Sequence, residues 1–177
     1  PWTAEDDHRI VGWSVPAVAD LLIDRGVPLD DATIIESLHD GVARAMAAGV
    51  PWRTGAVELL TAARDAGMPC ALVTMSYRHL AEVVVRAAPA GAFTTVVAGD
   101  DVAHPKPAPD AYLLAAWALD VPAADCVALE DSPTGVASAL AAGALTVAVD
   151  PDQHVGEHPR LTRSTLADVG VALGLIR

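Results

Sequence analysis

Two adjacent acids, Glu130 and Asp131, stand between an apolar run, residues 126–129, and a stretch of small residues, 132–143. The apolar run predicts a buried strand and the small residues predict a helix, so the two carboxylates lie at the carboxyl end of a strand. In open α/β sheets the loops at that end form the crevice in which ligands bind. Paired carboxylates there suit a hard cation such as Mg²⁺, which takes oxygen ligands and keeps several waters.

The same stretch is also typical of a helix start. Asp131 or Ser132 could be the N-cap, with Pro133 in the first turn and Gly143 ending the helix. This stretch by itself does not decide between a cation site and a helix cap. The polar residues near the other predicted strands bear on that choice.

Two earlier predicted strands are also followed by polar residues. Thr74, Met75 and Ser76 come at the end of one, and Lys106 follows the next after a short loop. Backbone N–H groups and a hydroxyl at a helix start can cradle a phosphate, a lysine can neutralise it, and carboxylates can hold a metal ion that shields its remaining charge. Each residue also has a plainer interpretation, since Thr74 and Ser76 could cap the next helix and Lys106 could be a surface charge.

The predicted elements divide the chain into a helical part, residues 1–53, and an α/β part, residues 54–177. The helical part contains no convincing strand, and its helices are predicted to start at Thr3, with acids at 5–7, and to cover 16–25 and 31–48. In the second part strands and helices alternate, which indicates βαβ units and a parallel sheet. Strands are predicted over 70–74, 94–98, 127–129 and 145–149, helices over 55–66, 77–87, 109–119 and 164–173, and a loop over 150–163.

Side chains with helical spacing add two further predictions. Leu113, Leu114 and Trp117 share one face of the helix over 109–119. Three tryptophans of the helical part are expected to be packing residues rather than a ligand site: Trp2, Trp13 and Trp52.

Composition limits the partners and the compartment. A net charge of −12 argues against a nucleic-acid partner, whose phosphates require a basic face. No apolar run approaches the roughly 20 residues of a membrane span, and the acidic N-terminal region lacks a signal-peptide pattern. Cys70 and Cys126 lie in apolar runs, where a free thiol behaves as a small buried hydrophobe, and this usage fits a reducing cytoplasm best.

Three stretches resemble, in this order, the second, third and fourth motifs of the haloacid dehalogenase superfamily of phosphohydrolases: residues 72–76 (LVTMS), 106–110 (KPAPD) and 129–136 (LEDSPTGV). Their spacing resembles the subgroup in which a helical cap is inserted after the first motif, which includes β-phosphoglucomutase and many sugar-phosphate phosphatases. The resemblance implies an α/β fold with a Rossmann-like parallel sheet sandwiched by helices. It also implies a cap over residues 1–53 and a core over 54–177.

The resemblance implies a role for each candidate residue. Thr74 would bind the substrate phosphate with the amide of Met75, and Lys106 would neutralise the phosphoryl group and the nucleophile. Asp131 would ligate Mg²⁺ with Glu130 beside it. The implied reaction is attack by an aspartate on the phosphorus of a small phosphorylated metabolite, giving an aspartyl-phosphate that water then hydrolyses.

The cap stretch 11–15 resembles the segment with which the mutase contacts its substrate, and it makes Trp13 and Ser14 candidate substrate contacts. Val15 stands where an arginine would hold a second phosphate. The resemblance therefore favours a phosphatase over a phosphomutase.

One motif departs from the family pattern. The family's first motif is an apolar strand ending in Asp-x-Asp, which supplies the nucleophile, the acid/base and further metal ligands, whereas no strand precedes Asp6 and Asp7 here. In the family that strand lies in the middle of the sheet. We therefore expect a truncated chain with negligible turnover, whose parent begins roughly 15 to 40 residues earlier. The alternative is a non-catalytic pseudo-enzyme or metabolite-binding module, and the sequence specifies neither substrate nor oligomeric state.

Overall fold

The computed structural model of the protein describes Thr3, Asp6, residues 10–149 and residues 155–176. Two short 3₁₀ helices cover Gly99–Asp101 and Ala123–Asp125. The other elements follow in the order α1 (Val15–Asp24), α2 (Asp31–Ala47), α3 (Ala56–Asp65), β1 (Ala71–Val73), α4 (Arg78–Ala87), β2 (Thr95–Val97), α5 (Asp110–Ala118), β3 (Val127–Glu130), α6 (Pro133–Ala141), β4 (Leu145–Ala148), β5 (Leu161–Arg163) and α7 (Leu166–Ala172).

A side-chain cap fixes the start of α1 within one residue of the predicted position. Ser14 Oγ accepts a hydrogen bond from the Ala17 N–H at 3.4 Å and caps α1. Upstream, the Thr3 N–H donates to Asp6 Oδ2 at 3.0 Å and the Asp6 N–H donates to Thr3 Oγ1 at 3.3 Å, which is a reciprocal capping box. Outside the described residues lie three that the sequence predictions used: Trp2, Glu5 and Asp7.

The strands form parallel ladders. β1 pairs with β2, with Leu72 opposite Val96, and β3, β4 and β5 pair in that order, with Leu129 opposite Val147. In the part of the chain that the structure describes, no ladder joins the two sheets. Helices flank them, as α5 does at β1 and β2 and α6 does at β3 and β4. The α/β class with parallel strands and flanking helices is therefore confirmed.

The sequence does not predict β5. This strand pairs with β4 inside the stretch 150–163 that was expected to be a loop, so the loop prediction is wrong at Leu161–Arg163; residues 150–154 lie outside the described ranges. β5 is short and largely exposed, so it lacks the apolar run that marks the other strands. Backbone bonds align it instead, beginning with the Thr146 N–H to the Arg160 carbonyl at 2.8 Å.

The buried face of α5 differs from the predicted apolar face. Leu113 and Trp117 are 48% and 79% exposed, whereas Leu114 packs against the core. The buried residues of α5 are alanines, at positions 111, 115 and 116. Small side chains allow the helix backbone to pack closely on β1 and β2, while Leu113 and Trp117 point outward.

Both cysteines are free and half-buried. Cys70 directly precedes β1 and Cys126 directly precedes β3, so each lies at the start of a predicted strand run and not inside the strand, and each thiol is only partly buried. None of the helices in the described ranges has the length and apolar character that a bilayer crossing requires.

The helical part contacts the α/β part through an aromatic cluster. α1 packs on α2, and α2 packs on α4. The centroid of the His39 ring on α2 lies 4.4 Å from that of Tyr77 and 5.1 Å from that of His79. Burial, and then the neighbouring His79, lower the pKa of His39, whose buried Nε2 has no hydrogen-bond partner among the described residues. The contact therefore favours neutral His39.

Candidate active site

Loops after β1 and β3 and the loop before α5 meet around one cavity of about 460 Å³. Thr74 and Met75 come from the first, Glu130 and Asp131 from the second, and Lys106 from the third. The structure thus brings together, at one edge of the α/β part, the residues that the sequence places at three separate points. The helical part and its linker also contribute to the wall, through Gly12, Trp52 and Arg53.

A larger groove lies elsewhere on the molecule. It has a volume of about 620 Å³ and is lined by α3 and the C-terminal segment, with Glu58, Thr61 and Asp65 as its polar residues. The predicted site residues do not line it. The smaller cavity is the candidate active site because the chemically capable groups converge there.

Backbone hydrogen bonds set the position of Thr74. Its N–H donates to the Val97 carbonyl at 2.9 Å and continues the β1–β2 pairing. Its hydroxyl accepts a bond from the Ser76 N–H at 3.1 Å, while α4 is capped by Asp100 Oδ1, which accepts from the Arg78 N–H at 2.9 Å. The interpretation of Thr74 and Ser76 as caps of this helix is therefore wrong. Ser76 itself does not line the cavity.

Lys106 is the only lysine in the sequence, and it is buried. Its Nζ donates to the Val73 carbonyl at 3.2 Å and forms an ion pair with Glu130, the two side chains being 7% and 6% exposed. The Tyr112 hydroxyl donates to the same carboxylate oxygen, and Nζ lies 5.1 Å from the centroid of the Tyr112 ring. The surface-charge interpretation of Lys106 is wrong. This side chain instead connects the ends of β1 and β3, which belong to different sheets.

The Glu130 carboxylate is enclosed by its neighbours. Burial, and then the charge of Glu130, raise the pKa of Tyr112 well above its usual value, so the phenol stays protonated and donates. On another side, a Cβ added to Gly135 would overlap both carboxylate oxygens. Ser132 Oγ accepts a bond from the Gly135 N–H at 3.0 Å and is the N-cap of α6. Because Ser132 caps this helix, the carboxylate of Asp131 is left for other partners.

Asp131 lies at the cavity, half-exposed. Its Oδ2 is 3.3 Å from Nη2 of Arg53, which belongs to the linker between α2 and α3, and the two side chains are 48% and 52% exposed. This ion pair joins the end of the helical part to the tip of β3. It is the second contact, after the aromatic cluster, between the two parts of the chain.

The segment before α1 reaches the site through Gly12. The Thr134 hydroxyl donates to the Gly12 carbonyl at 3.0 Å, and a Cβ at Gly12, whose φ is +79°, would overlap the Ser132 and Thr134 side chains. Trp13 and Ser14, the predicted substrate contacts of this segment, do not line the cavity. Their contact with a substrate stays a prediction.

Mg²⁺ fits part of the predicted ligand pair. Asp131 offers a half-exposed carboxylate at the cavity, and proteins commonly hold Mg²⁺ by one or two carboxylates together with waters and substrate phosphate. Glu130 is engaged by Lys106 and Tyr112, so its role as a ligand stays a prediction. Within the described ranges, no group of three or more His, Cys, Asp and Glu side chains could hold a metal ion. Asp131 is therefore the residue that fits the cation.

Sequence reasoning misses Arg53 and Tyr112, and it includes Gly12 only as part of the stretch 11–15. Gly12 carries a local signal, a glycine just before a helix cap, whereas the partners of Arg53 and Tyr112 lie 78 and 18 residues away along the chain. Sequence reasoning also overlooks the one Asp-x-Asp run in the sequence, Asp150-Pro151-Asp152, which directly follows the apolar run 145–149. These three residues lie outside the described ranges.

Comparison with known proteins points to one family. Residues 12–143 match the haloacid dehalogenase-like hydrolases. The chain is 42% identical over 104 residues to protein CbbY of Rhodobacter capsulatus, covering 56% of this chain and 45% of that protein. It is 37% identical over 118 residues to hexitol phosphatase A of Escherichia coli (strain K12), covering 67% of this chain and 53% of that protein. The chain thus spans about half the length of the curated relatives it matches.

A solved structure shares the fold. The crystal structure of CbbY from Rhodobacter sphaeroides in complex with phosphate superposes with a TM-score of 0.81 at 30% identity, covering 96% of this chain and 81% of that chain. The three stretches that carry the resemblance, 72–76, 106–110 and 129–136, all lie inside the family match over residues 12–143.

Proposed function

The chain belongs to the haloacid dehalogenase-like hydrolases, and from this premise we propose that it forms the cap and core of a Mg²⁺-dependent phosphatase for a small phosphorylated metabolite such as a sugar phosphate. The observation that carries the proposal is that Thr74, Lys106 and Asp131, from three loops, line one cavity. The phosphatase named among the relatives supports the reaction class. Residues 1–53 would be the cap, and the half-buried free cysteines agree with a reducing cytoplasm.

Each side chain has a part in holding the substrate phosphate. The hydroxyl of Thr74 and the amide of Met75 would donate to phosphate oxygens, and the Lys106 ammonium, fixed by Glu130, would neutralise their charge. When bound at Asp131, Mg²⁺ would supply Lewis-acid neutralisation of the remaining oxygens. Burial of the lysine strengthens its interaction with the phosphate because few waters compete for it.

We also propose that this 177-residue chain has negligible turnover. Among the described residues the carboxylates that line the cavity are Glu130, which is paired with Lys106, and Asp131, which fits the cation. Attack on phosphorus requires a further carboxylate placed in line with the leaving group. This observation equally favours the second candidate, a module that binds a phosphorylated metabolite without hydrolysing it. A phosphomutase is less favoured because Val15 stands where the resemblance would place an arginine.

The first experiment separates catalysis from binding. The 177-residue chain and the product of the reading frame extended upstream of Pro1 would be assayed with p-nitrophenyl phosphate and a panel of sugar phosphates, with and without Mg²⁺. We expect turnover from the longer protein alone, abolished by Asp131→Asn. If neither protein turns over but both bind inorganic phosphate, the binding module is correct.

The single lysine gives a direct binding readout. In protein labelled only at lysine with ¹³C and ¹⁵N, one side-chain signal reports on Lys106, and we expect inorganic phosphate to shift it. An unshifted signal at saturating phosphate would contradict the proposed phosphate site. If the 177-residue chain does turn over substrate, Asp150→Asn and Asp152→Asn would show whether its Asp-x-Asp run supplies the nucleophile.

A further inference from the structure

Arg53 is a cation already placed beside the carboxylate that fits Mg²⁺. We propose that Arg53 is a substrate-binding residue that pairs with Asp131 in the unliganded protein, releases it to a divalent cation, and then turns to the substrate phosphate. This proposal rests on the proposed function, because it assigns a further residue to the same cavity. Arg53 would thereby couple cation binding to phosphate binding.

The pair has the geometry of an exchangeable contact. Nη2 of Arg53 lies 3.3 Å from Oδ2 of Asp131, and both side chains are about half-exposed, at 52% and 48%. In contrast, the Lys106 and Glu130 side chains are 7% and 6% exposed, and breaking that pair would leave a buried charge with neither its partner nor water to stabilise it. Solvent can replace either partner of the Arg53 pair at little cost, so the pair can open without unfolding its surroundings.

A guanidinium and a divalent cation compete for the same carboxylate. Arginine keeps its charge at every accessible pH, so it cannot yield by losing a proton and must move away. An exposed ion pair contributes at most about 1 kcal/mol, so competition from Arg53 would weaken cation binding at Asp131 by at most about fivefold. Removing the guanidinium should therefore strengthen the binding of Mg²⁺ alone.

The released guanidinium stays at the cavity. Arg53 lines the same wall as Thr74 and Lys106, so once Asp131 is occupied by a cation its planar fork can donate to phosphate oxygens. Arg53 also lies in the linker between α2 and α3, where the helical part meets the α/β part. When Arg53 changes its partner from Asp131 to phosphate, the position of this linker would therefore change with the occupancy of the site.

The test relies on the expectation that removing the Arg53 guanidinium raises the affinity for Mg²⁺ and lowers the affinity for phosphate. Mg²⁺ binding would be measured by isothermal titration calorimetry, and phosphate binding in the presence of Mg²⁺ by the single lysine signal, for the wild type, Arg53→Gln and Asp131→Asn. Arg44→Gln is the matched control, because it removes the same charge from an exposed pair on α2, 3.9 Å from Asp40. Relative to this control, we expect Arg53→Gln to bind Mg²⁺ about two- to fivefold more tightly and phosphate more weakly.

The remaining outcomes of this experiment each overturn or support a stated part of the proposal. If Arg53→Gln and Arg44→Gln bind Mg²⁺ equally, or if Arg53→Gln binds it more weakly, Arg53 does not compete for Asp131 and the proposal is overturned. Unchanged phosphate affinity overturns the second half of the exchange. In those cases, if Asp131→Asn still abolishes Mg²⁺ binding, the proposed metal site at Asp131 remains supported. If no variant binds Mg²⁺, both this proposal and the metal part of the proposed function fail.

Discussion

Replacing Lys106 with methionine tests how far the site depends on its buried ion pair. The Lys106 and Glu130 side chains are 7% and 6% exposed, so methionine would leave a buried carboxylate with Tyr112 and Ser132 as its neighbours. Removing one partner of a buried pair costs about 3–5 kcal/mol. The Val73 carbonyl would also lose a donor, at about 1 kcal/mol. We expect the free energy of unfolding to fall by about 4–6 kcal/mol, out of the roughly 5–15 kcal/mol of an ordinary domain.

A double-mutant cycle followed by urea unfolding isolates the pair. Glu130→Gln removes the charge and keeps an oxygen that can accept from Tyr112, so Lys106→Met/Glu130→Gln should be more stable than Lys106→Met, with a coupling of about 2–3 kcal/mol. If Lys106→Met does not fold, recovery of a cooperative transition in the double variant gives the same answer. Arg44→Gln should change the stability by less than about 0.5 kcal/mol. Additive effects, or a loss below about 1 kcal/mol in Lys106→Met, would refute the reasoning.

Two further predictions concern the enclosure of the carboxylate and the contact between the two parts of the chain. Gly135→Ala should lower the free energy of unfolding in urea by about 1–3 kcal/mol and shift the single lysine signal, because the new methyl overlaps the Glu130 carboxylate. Gly41→Ala is the control, since Gly41 lies in open space on α2 and its substitution should cost no stability. Equal effects of the two substitutions would contradict the overlap at Gly135. The pKa of His39 is lowered in the folded protein, so the folded state binds fewer protons than the unfolded chain, and stability is present above the ordinary pKa of 6.5 and lost as the pH falls below it. Between about pH 8 and about pH 5, the free energy of unfolding of His39→Phe should therefore fall by less than that of the wild type. Equal decreases in the two proteins would contradict this explanation.

Local patterns in the sequence were sufficient for most of the fold. Apolar runs bounded by Gly, Pro and capping residues predict the strands β1 to β4 and the helices α1 to α7 within a few residues, because helix hydrogen bonds, caps and the apolar runs that mark strands all involve residues close in sequence. The sequence does not predict β5 because a short exposed strand takes its register from its partner rather than from its own residues. It does not predict the exposed face of α5 because the approach of the helix to the sheet, and not the spacing of its residues, determines which side chains are buried.

Residue types and their spacing are enough to identify the residues that could handle a phosphate, at or just after the ends of predicted strands: Thr74, Lys106, Glu130 and Asp131. The partner of each one is known only from the folded arrangement. Lys106 pairs with Glu130 and Asp131 with Arg53, across 24 and 78 residues of chain. Burial around the first pair makes it a fixed support of the site, while exposure of the second makes it an exchangeable contact. Such choices depend on distances and solvent access between residues far apart in sequence, and no local pattern of residue types records either quantity.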